Sequence, residues 1–417
     1  MSKVKDASLA PAGRRQITWA AANMPVLALV RREFEKDRPF RGVTIAACLH
    51  VTKETAVLME TLKAGGAEVA ICGSNPLSTN DEVAAALAAD GSIHTYAWRG
   101  VNDEEYYWCV DQALAHRPKI TMDDGADLVT RLHTAKQDLL PGVLGGTEET
   151  TTGVNRFRAM AAEGVLKYPI LAINDAMTKH FFDNRYGTGQ STIDGILRAT
   201  SMLLAGKRFV VCGYGWVGKG LAMRAKGMGA HVTVTEIDPV RALEAVMDGF
   251  TVEPMTEAAK TADIVVTVTG GKHILGKDAL ANLKDGAVIA NSGHFDNEID
   301  LVSLRGLAKS VEEARPNVEA YRLKDGRSVF VLGQGRLVNL AAAEGHPPEV
   351  MDMSFANQAL GARWMLEHAP KLKPIVHVMP EELDRRVAAL KLEAMGVRID
   401  RLTAEQKAYI TGWREGT

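Results

Sequence analysis

Residues 207–239 read KRFVVCGYGWVGKGLAMRAKGMGAHVTVTEIDP, and the order of residue types in this stretch decides the fold. Phe209 to Cys212 is a short apolar run rich in β-branched residues, which predicts a buried parallel strand. Gly213, Gly215 and Gly218 follow at the spacing G-x-G-x-x-G. The first glycine allows a tight turn, the second lets the backbone approach a pyrophosphate, and the third lets helix and strand pack closely. Free N–H groups at the start of the helix then face the phosphates of a dinucleotide.

A second predicted strand, His231 to Thr235, ends at Glu236, which lies 18 residues after Gly218. An acidic residue at this distance accepts hydrogen bonds from a ribose 2′-OH. Because a carboxylate repels a 2′-phosphate, the sequence favours NAD over NADP. The alternative is a tight turn between strand and helix that binds no ligand. The strand, helix, second strand and acid together favour the dinucleotide site.

The composition is that of an ordinary globular protein, with 46% hydrophobic and 24% charged residues. A chain of 417 residues predicts two or three domains. The formal net charge of −2 gives no electrostatic footprint for nucleic acid or an anionic membrane. No run approaches the roughly 18 apolar residues of a membrane span. The first residues, MSKVKDASLAPAGRRQ, contain no apolar signal region, so we expect a cytoplasmic protein.

The cysteines and histidines show no spacing typical of a metal site. Cys48, Cys72, Cys109 and Cys212 are scattered without C-x-x-C spacing, which predicts reduced thiols that act as small core residues. The histidines form no pattern such as H-E-x-x-H, so no catalytic metal is expected.

From Val43 onward the pattern is a series of strand and helix repeats, typical of an open, doubly wound α/β sheet. His50, Asn75 and Asp124 each follow a predicted strand, at the sheet edge where ligands bind in this class of fold. Further strands follow the glycine turn, within residues 262–271 and 286–300. The sequence therefore predicts an α/β protein with two doubly wound parallel sheets. We also predict two short helices broken at Pro25 and a last helix beginning at Thr403.

The chain resembles the S-adenosylhomocysteine hydrolase family from about residue 10 to residue 413. The resemblance is carried by the motifs HVTKETA (from His50), MDDGADL, GTEETTTGV, AINDAMTKHFFDNRYG, GYGWVGKG, VTEIDP, NSGHFDNEID, GQGRLVNLAAAEGHP and VMDMSFANQ. It departs from the common animal form at Trp216 and Thr188, and it looks like a short-tailed form. The resemblance implies a substrate-binding domain (1–180 and 347–380), an inserted Rossmann NAD domain (181–346) and a C-terminal helical segment (381–417). It also implies a homotetramer.

The family reaction splits S-adenosylhomocysteine reversibly into adenosine and homocysteine, without net redox. By resemblance, Lys179 takes the 3′-OH proton during hydride transfer and Asp183 orients it, with Asn184 beside them. A lysine must lose its proton to act so, which requires burial or a cationic neighbour. On spacing alone, Lys179 and Asp183 would be a surface salt bridge between residues four apart on a helix.

By resemblance, Asp124 is the base for the 4′ proton, and His50 is the acid that protonates the leaving sulfur. From the residues alone, one of two adjacent carboxylates at a strand end could instead cap the following helix, and His50 could be a structural hydrogen-bonder. Glu149 fits a ligand of the ribose hydroxyls, since an ionised carboxylate accepts and does not donate.

The remaining candidates contact cofactor or substrate by resemblance. The cofactor residues are Thr150, Thr151, Thr152, Asn184 and Asn339, besides Gly213, Gly215, Gly218 and Glu236. The substrate residues are Leu49, Thr52, Glu54, His294, His346, Met351 and Phe355. We expect His294, Asn339 and His346 in loops after strands. The alternative for the apolar members is ordinary core.

Glu54 is the residue we expect to select adenine over hypoxanthine, because a carboxylate accepts from the N6 amine and repels a carbonyl oxygen. The alternative is a solvated helix residue. The neighbouring Lys53 is expected to point elsewhere on the helix. Two other functions stay open, S-inosylhomocysteine hydrolysis and an NAD-dependent dehydrogenase with net redox. The Lys179/Asp183 pair plus the separate His50/Asp124 pair argues against the dehydrogenase, because simple hydride transfer needs one acid–base group.

Overall fold

The structure is a computed structural model that describes residues 2–89 and 91–414. Its strands, numbered in chain order, are β1 (Lys3–Val4), β2 (Thr44–Cys48), β3 (Glu68–Cys72), β4 (Ile93–Ala97), β5 (Ile120–Asp123), β6 (Gly145–Glu148), β7 (Ile170–Ala172), β8 (Arg208–Cys212), β9 (His231–Thr235), β10 (Thr251–Val252), β11 (Ile264–Thr267), β12 (Val288–Asn291), β13 (Ala308–Arg315), β14 (Val318–Leu323), β15 (Ser328–Leu332) and β16 (Val376–Val378).

Helices alternate with most of these strands. They are α1 (Ala10–Ala22), α2 (Pro25–Asp37), α3 (Lys53–Ala64), α4 (Asp81–Ala88), α5 (Asp103–Leu114), α6 (Asp127–Thr134), α7 (Thr151–Ala162), α8 (Met177–Lys179), α9 (Thr188–Thr200), α10 (Trp216–Gly227), α11 (Pro239–Met247), α12 (Met255–Ala258), α13 (Lys277–Asn282), α14 (Leu301–Leu307), α15 (Val338–Ala341), α16 (Pro348–His368), α17 (Glu381–Ala394) and α18 (Ala404–Thr411). A π-helical segment, His180–Gly187, joins α8 to α9. The predicted break at Pro25 and the capping box of Thr403 with Gln406 are both present.

The first sheet has the strand order β1-β4-β3-β2-β5-β6-β7-β16, and its strands are parallel. Along β2, Ile45 and Ala47 pack into one core while Ala46 and Cys48 pack into another on the opposite face. Both faces are therefore covered by helices, which is why the strand is an unbroken apolar run. The strand order reverses between β2 and β5.

The second sheet has the order β10-β9-β8-β11-β12-β15-β14-β13. It is parallel from β10 to β15, and helices cover both of its faces. The strand order reverses between β8 and β11. The prediction of two doubly wound parallel sheets is confirmed, with one addition. The β14 strand runs antiparallel to both β13 and β15 at one edge, a hairpin that the alternating pattern did not indicate.

The chain passes from the first sheet to the second through α9 and returns through α16, whose following strand β16 joins the edge of the first sheet. The α17 helix packs on α2 and α16. Its Asp384 accepts hydrogen bonds from the backbone N–H groups of Met177 and Thr178 in α8. Of the predicted C-terminal segment, residues 415–417 lie outside the described residues. Within the described part, no helix is both long and apolar enough to cross a membrane.

Candidate active site

One cavity of about 1190 Å³ opens between the two sheets, at the carboxyl ends of the strands where each strand order reverses. Such a reversal leaves a crevice, because the connections leave the adjacent strands in opposite directions. The predicted site residues that line the cavity are Leu49, His50, Thr52, Glu54, Asp124, Glu149, Thr150, Thr151, Thr152, Lys179, Asp183, Asn184, Gly213, Gly215, Glu236, His294, Asn339, His346, Met351 and Phe355. Gly218 lies behind it. Asn339, expected in a loop, stands in the short helix α15.

Lys179 is the centre of a buried cluster of charges. Its Nζ donates a hydrogen bond to Asn184 Oδ1 at 2.7 Å, and it lies 3.4 Å from Asp183 Oδ2 and 3.5 Å from Glu149 Oε1. The lysine is 4% exposed, which excludes the surface salt bridge that spacing alone allowed. Burial lowers the pKa of Lys179, but the carboxylates of Asp183 and Glu149 outweigh burial and raise it above its usual value. Lys179 is therefore an ammonium group, and it must lose a proton before it can act as a base.

Asp183 holds two further partners in place besides the lysine. Ser354 Oγ donates to its Oδ2 at 2.7 Å, and His346 Nδ1 lies 3.1 Å from its Oδ1. Burial raises the pKa of this carboxyl, but Lys179 and His346 together outweigh burial and lower it below its usual range. Asp183 therefore stays ionised beside the lysine. The other nitrogen of His346 lies 3.1 Å from Thr188 Oγ1, so both nitrogens of that ring have a partner.

His50 and Asp124 form the second acid–base pair, on the side of the cavity formed by β2 and β5. His50 Nε2 lies 3.4 Å from Asp124 Oδ2, and its Nδ1 contacts Ser78 Oγ at 2.8 Å and Ser74 Oγ at 3.0 Å. Burial lowers the pKa of His50 to about 4, although the Asp124 carboxylate partly opposes this. The imidazole is therefore neutral at neutral pH and must receive a proton before it can donate one.

Three buried polar atoms in the cavity have no hydrogen-bond partner within the described part of the chain. They are Glu54 Oε1, Glu149 Oε1 and Asn339 Oδ1. Glu54 Oε1 and Glu149 Oε1 each lie near a lysine ammonium group, at 3.2 Å and 3.5 Å. Asn339 Oδ1 has no such neighbour among the described residues, and because an unpaired buried polar atom is costly, it indicates where a polar ligand binds. The other oxygen of Glu149 accepts from Gln358 Nε2 at 2.6 Å, and burial raises the pKa of Glu149 to about 8.

Glu54 is 1% exposed, which excludes a solvated position. Thr52 caps the helix α3, and Glu54, in its first turn, lines the cavity. The expectation that Lys53 points elsewhere on the helix is only partly correct. Lys53 is absent from the described lining of the cavity, yet its Nζ lies 3.2 Å from Glu54 Oε1. Burial raises the pKa of Glu54 above its usual value, and Lys53 partly opposes this.

The glycine turn has the geometry of a dinucleotide site. Gly213 has a φ of +107°, which favours glycine, and a Cβ on Gly218 would lie 2.0 Å from Gly213 O. A Cβ on Gly215 would instead approach Arg241 Nη1 no closer than 3.9 Å, so the backbone there borders open space. The helix α10 begins at the next residue and has no side-chain cap, so its first N–H groups are free to bind phosphate.

Glu236 ends the strand β9 beside this turn. Its carboxylate accepts the backbone N–H groups of Tyr214 and Ile237, both at 2.7 Å, and of Asp238 at 3.1 Å. A carboxylate has about four acceptor positions, so one remains for a ribose hydroxyl. The residues at this end of the cavity fit NAD.

Several functional positions were not found by sequence reasoning. Ser354 and Gln358 lie four residues apart on α16 and bind Asp183 and Glu149 respectively. Glu298 accepts the N–H groups of Thr269 and Gly270, in the loop that follows β11 at the cavity edge. Partners this distant in the chain leave no local signal.

Asp123 and Glu148, each the first of two consecutive acids, are fully buried. Asp123 Oδ2 accepts the N–H of Val129 in the first turn of α6, while Asp124 faces the cavity. The first acid of the pair thus binds an N–H group in the first turn of α6, whose N-cap residue is Ala126, and the second lines the cavity.

Two groups of three side chains, among the residues that the structure describes, offer donor atoms close enough to hold a metal ion. They are His50, Asp124 and His294 in the cavity, and Glu68, His94 and His116 at the opposite edge of the first sheet. In the second group the two imidazoles stack at 4.1 Å with planes 25° apart, and His94 Nε2 and His116 Nδ1 lie 3.7 Å and 3.1 Å from Glu68 Oε1.

The fold and the cavity define the class of an NAD-dependent α/β enzyme with two lobes and two separate acid–base groups. The sequence model described as S-adenosyl-L-homocysteine hydrolase matches residues 1–143, and the model of that enzyme's NAD-binding domain matches residues 184–345. The chain belongs to the S-adenosyl-L-homocysteine hydrolase family, and it contains that family's NAD-binding domain.

The chain is 58% identical over 414 residues to the adenosylhomocysteinase of Aquifex aeolicus, covering 99% of both chains. It is 56% identical over 417 residues to the S-inosyl-L-homocysteine hydrolase of Methanocaldococcus jannaschii, covering all of both chains. Among solved structures it resembles a dipicolinate synthase chain from Bacillus halodurans. That match has a TM-score of 0.50 and 11% identity, covers 78% of this chain and 99% of the other, and concerns the fold alone.

Proposed function

We propose that this protein catalyses the reversible hydrolysis of S-adenosyl-L-homocysteine to adenosine and L-homocysteine, with NAD as a bound cofactor. The observation that carries the proposal is the presence of two acid–base groups in one cavity. Lys179 with Asp183 forms one group, and His50 with Asp124 forms the other. A reaction with two distinct proton transfers uses both groups, whereas hydride transfer alone needs one.

The chemistry requires an oxidation because a thioether is a poor leaving group and the ribose 4′ C–H is not acidic. Bound NAD supplies the hydride acceptor that turns the ribose 3′-OH into a ketone, and it returns the hydride at the end. The ketone makes the 4′ C–H acidic, so that homocysteine leaves by β-elimination and water adds to the resulting double bond.

Lys179 serves the oxidation. In this proposal the amine accepts the 3′-OH proton, and Asp183 and Asn184 hold its Nζ toward the cavity. Because Lys179 is an ammonium group in the ligand-free protein, it first gives up a proton. Glu149 Oε1 is 3.5 Å away, and burial raises the pKa of that carboxyl to about 8, so at neutral pH Glu149 largely keeps its own proton. Glu149 is therefore placed to bind a ribose hydroxyl, and the lysine proton passes to solvent.

Asp124 and His50 serve the elimination. Asp124 removes the 4′ proton, and His50 Nε2, 3.4 Å from that carboxylate, is close enough to receive it. The protonated His50 then donates to the leaving sulfur and later accepts a proton from the attacking water. His294 Nδ1 is 3.6 Å from the other oxygen of Asp124 and limits how that carboxyl turns.

The cofactor is held by groups on both lobes. We assign the pyrophosphate to the turn at Gly213, Gly215 and the start of α10, and a ribose hydroxyl to Glu236. Asn339, whose Oδ1 is unpaired among the described residues, and the threonines following Glu149 complete the site: Thr150, Thr151 and Thr152. His346, Leu49, Thr52, Met351 and Phe355 contact the nucleoside.

A second candidate is S-inosyl-L-homocysteine hydrolysis, since one relative that matches the whole chain carries that name. The observation that favours it is the Lys53 ammonium, 3.2 Å from Glu54 Oε1. An ammonium donates to the carbonyl oxygen of hypoxanthine, whereas the Glu54 carboxylate accepts from the adenine amine. Glu54 lines the cavity and Lys53 does not among the described residues, so we favour adenine.

One experiment separates these functions and the dehydrogenase. S-adenosylhomocysteine and S-inosylhomocysteine are each added to purified protein, and free thiol and released NADH are followed together. The proposal predicts thiol without accumulation of NADH, and a higher kcat/KM for the adenosyl compound. Stoichiometric NADH would establish the dehydrogenase, and a preference for the inosyl compound would establish the second candidate.

The domain organisation and assembly are part of the proposal. We assign residues 1–180 and 347–380 to a substrate domain, 181–346 to an NAD domain and 381–417 to a C-terminal segment, in a cytoplasmic homotetramer. The homotetramer is supported by a row of exposed apolar side chains along α11 and its N-terminal flank, which a second copy would cover. These side chains are Ile237, Val240, Leu243, Val246 and Met247. Light scattering of the NAD-loaded protein tests it.

A further inference from the structure

Two pairs of consecutive acids end the neighbouring strands β5 and β6. The first members, Asp123 and Glu148, lie side by side in register and are 0% exposed. The second members, Asp124 and Glu149, line the cavity. Because successive side chains of a strand point to opposite faces, each pair places one acid in the site and one behind it. The acids behind the site have no role in the reaction as proposed so far.

Glu148 connects the two backbone segments that carry the acids of the site. A single oxygen, Oε1, accepts the N–H of Gly125 at 2.8 Å and the N–H of Thr150 at 2.9 Å. The first of these residues follows Asp124 and the second follows Glu149. One buried carboxyl oxygen therefore joins the peptide after each of the two acids that face the cavity.

The surroundings of Glu148 leave it little freedom to move. A Cβ on Gly153 would lie 2.2 Å from Glu148 Cδ, so the first turn of α7 is closed against the carboxyl group. On the other side, Glu148 Oε1 is held by the N–H groups of Gly125 and Thr150. The position of the carboxyl is thus set by packing on one side and by hydrogen bonds on the other.

We propose that Glu148 is a positioning residue, whose carboxyl group fixes the distance between Asp124 and Glu149 in the active site. The inference rests on the proposed function, in which these two acids act on neighbouring atoms of one ribose. A displacement of about 1 Å at a reacting group can cost about 100-fold in rate. If the backbone hydrogen bonds between β5 and β6 were the only connection, the residues just beyond the ends of the two strands could shift by such a distance.

The charge state of Glu148 determines which substitutions test its positioning role. Its Oε2 has no hydrogen-bond partner among residues 2–89 and 91–414. Burial first, and then the neighbouring acids Asp123 and Asp124, raise the pKa of Glu148 well above its usual range. The protonated, neutral form of the side chain is therefore favoured relative to that of an exposed glutamate. Glutamine has the same shape, keeps one acceptor oxygen and carries no charge, so it reproduces the neutral form of the Glu148 side chain.

The experiment compares three variants of the NAD-loaded enzyme. Glu148→Gln is expected to keep kcat within about threefold of the wild type and to leave its pH profile unchanged. Glu148→Leu, which fills similar space without an acceptor, is expected to lower kcat about 100-fold with a smaller change in KM. Thr121→Val is the matched control. It removes a buried hydroxyl of β5 that contacts Tyr168 Oη at 3.2 Å, and should lower Tm while leaving kcat unchanged.

Bound NAD, Tm and exchange of the 4′ proton with solvent are measured for each variant. The expected signature of Glu148→Leu is slow 4′ exchange per bound NAD at a Tm no lower than that of Thr121→Val. Retention of kcat in Glu148→Leu, or an equal loss in Glu148→Gln, would overturn the proposal.

If Glu148→Leu does not fold, Glu148→Asp replaces it. Its shorter side chain reaches only one of the two N–H groups, and a kcat within about threefold of the wild type would again overturn the idea. Failure of the proposed function itself is distinguishable, because then the wild type would release no thiol.

Discussion

The two sheets share one architecture but present different chemistry to the cavity between them. At the carboxyl ends of β2 and β5, the substrate side, the strands lead into His50 and Asp124, and the charges nearby shift each other's pKa. At the carboxyl ends of β8 and β11, the cofactor side, the strands lead into glycines and free backbone N–H groups. In the proposed reaction the same crevice thus serves proton transfer on one side and anion binding on the other. The difference lies in the few residues that follow each strand, not in the fold.

The largest effect should come from the charged cluster that adjoins the substrate side. Lys179→Ala is expected to slow oxidation of the bound nucleoside about 1000-fold, because the group that accepts the 3′-OH proton is lost. Asp124→Asn should leave oxidation largely intact and stop exchange of the 4′ proton. Absorbance of the reduced cofactor and deuterium incorporation report the two steps separately. If both variants fail in both assays to the same degree, the division of roles is wrong.

A smaller effect is expected on the cofactor side. In Gly218→Ala the new Cβ would lie 2.0 Å from Gly213 O, so the turn and α10 must separate. Overpacking of this kind costs about 1–3 kcal/mol, which corresponds to a loss of about 10- to 100-fold in NAD affinity. Gly227→Ala is the matched control, since a Cβ at that end of α10 meets no atom within 4 Å. Calorimetry with NAD compares them, and equal affinity in both variants would contradict the assigned turn.

The next effect concerns specificity within the substrate side. Glu54→Lys should shift the ratio of kcat/KM toward the inosyl compound by about tenfold, because the acceptor for the adenine amine becomes a donor for a carbonyl. Lys53→Ala is the neighbouring control and should change the ratio by less than about threefold, since Lys53 is outside the described lining of the cavity. A larger shift in Lys53→Ala than in Glu54→Lys would assign the preference to the lysine.

The smallest effect is a pH dependence of stability. The folded pKa of Glu148 is raised, so its stabilising contribution is complete below the unfolded pKa of about 4.3 and is lost as pH rises toward the folded value. Glu148→Gln has no such proton to lose. The Tm of the variant should therefore rise relative to the wild type between about pH 5 and pH 8, by a few degrees.

Thermal unfolding of the wild type, Glu148→Gln and Thr121→Val over this pH range provides the measurement. The Tm offset of Thr121→Val should stay constant, since no titrating group changes. A pH-independent offset for Glu148→Gln as well would mean that Glu148 is ionised in the folded protein.

Local sequence determined the elements that hold the site. The strand at Phe209, the glycine turn and the acid at Glu236 were all predictable, because each depends on residues within a few turns of one another. Thr52 at the start of α3 and the capping box at Thr403 belong to the same class. Backbone conformation and helix capping are decided within about four residues, so short patterns report them.

Tertiary structure alone decided the charges. Sequence placed Lys179 four residues from Asp183, but only the fold buries the lysine, which lowers its pKa, and adds the Glu149 carboxylate from another strand, which with Asp183 raises it again. The sequence likewise indicated no partner for Glu54, whereas in the structure Lys53 Nζ lies 3.2 Å from Glu54 Oε1. A pKa depends on burial and on every charge within several ångströms, and some of those neighbours, such as Glu149 beside Lys179, are distant in the chain. In this protein the order of residues along the chain determines which side chains reach the cavity. The packing of the two sheets determines their burial and their charged neighbours, and so which of them carry a proton.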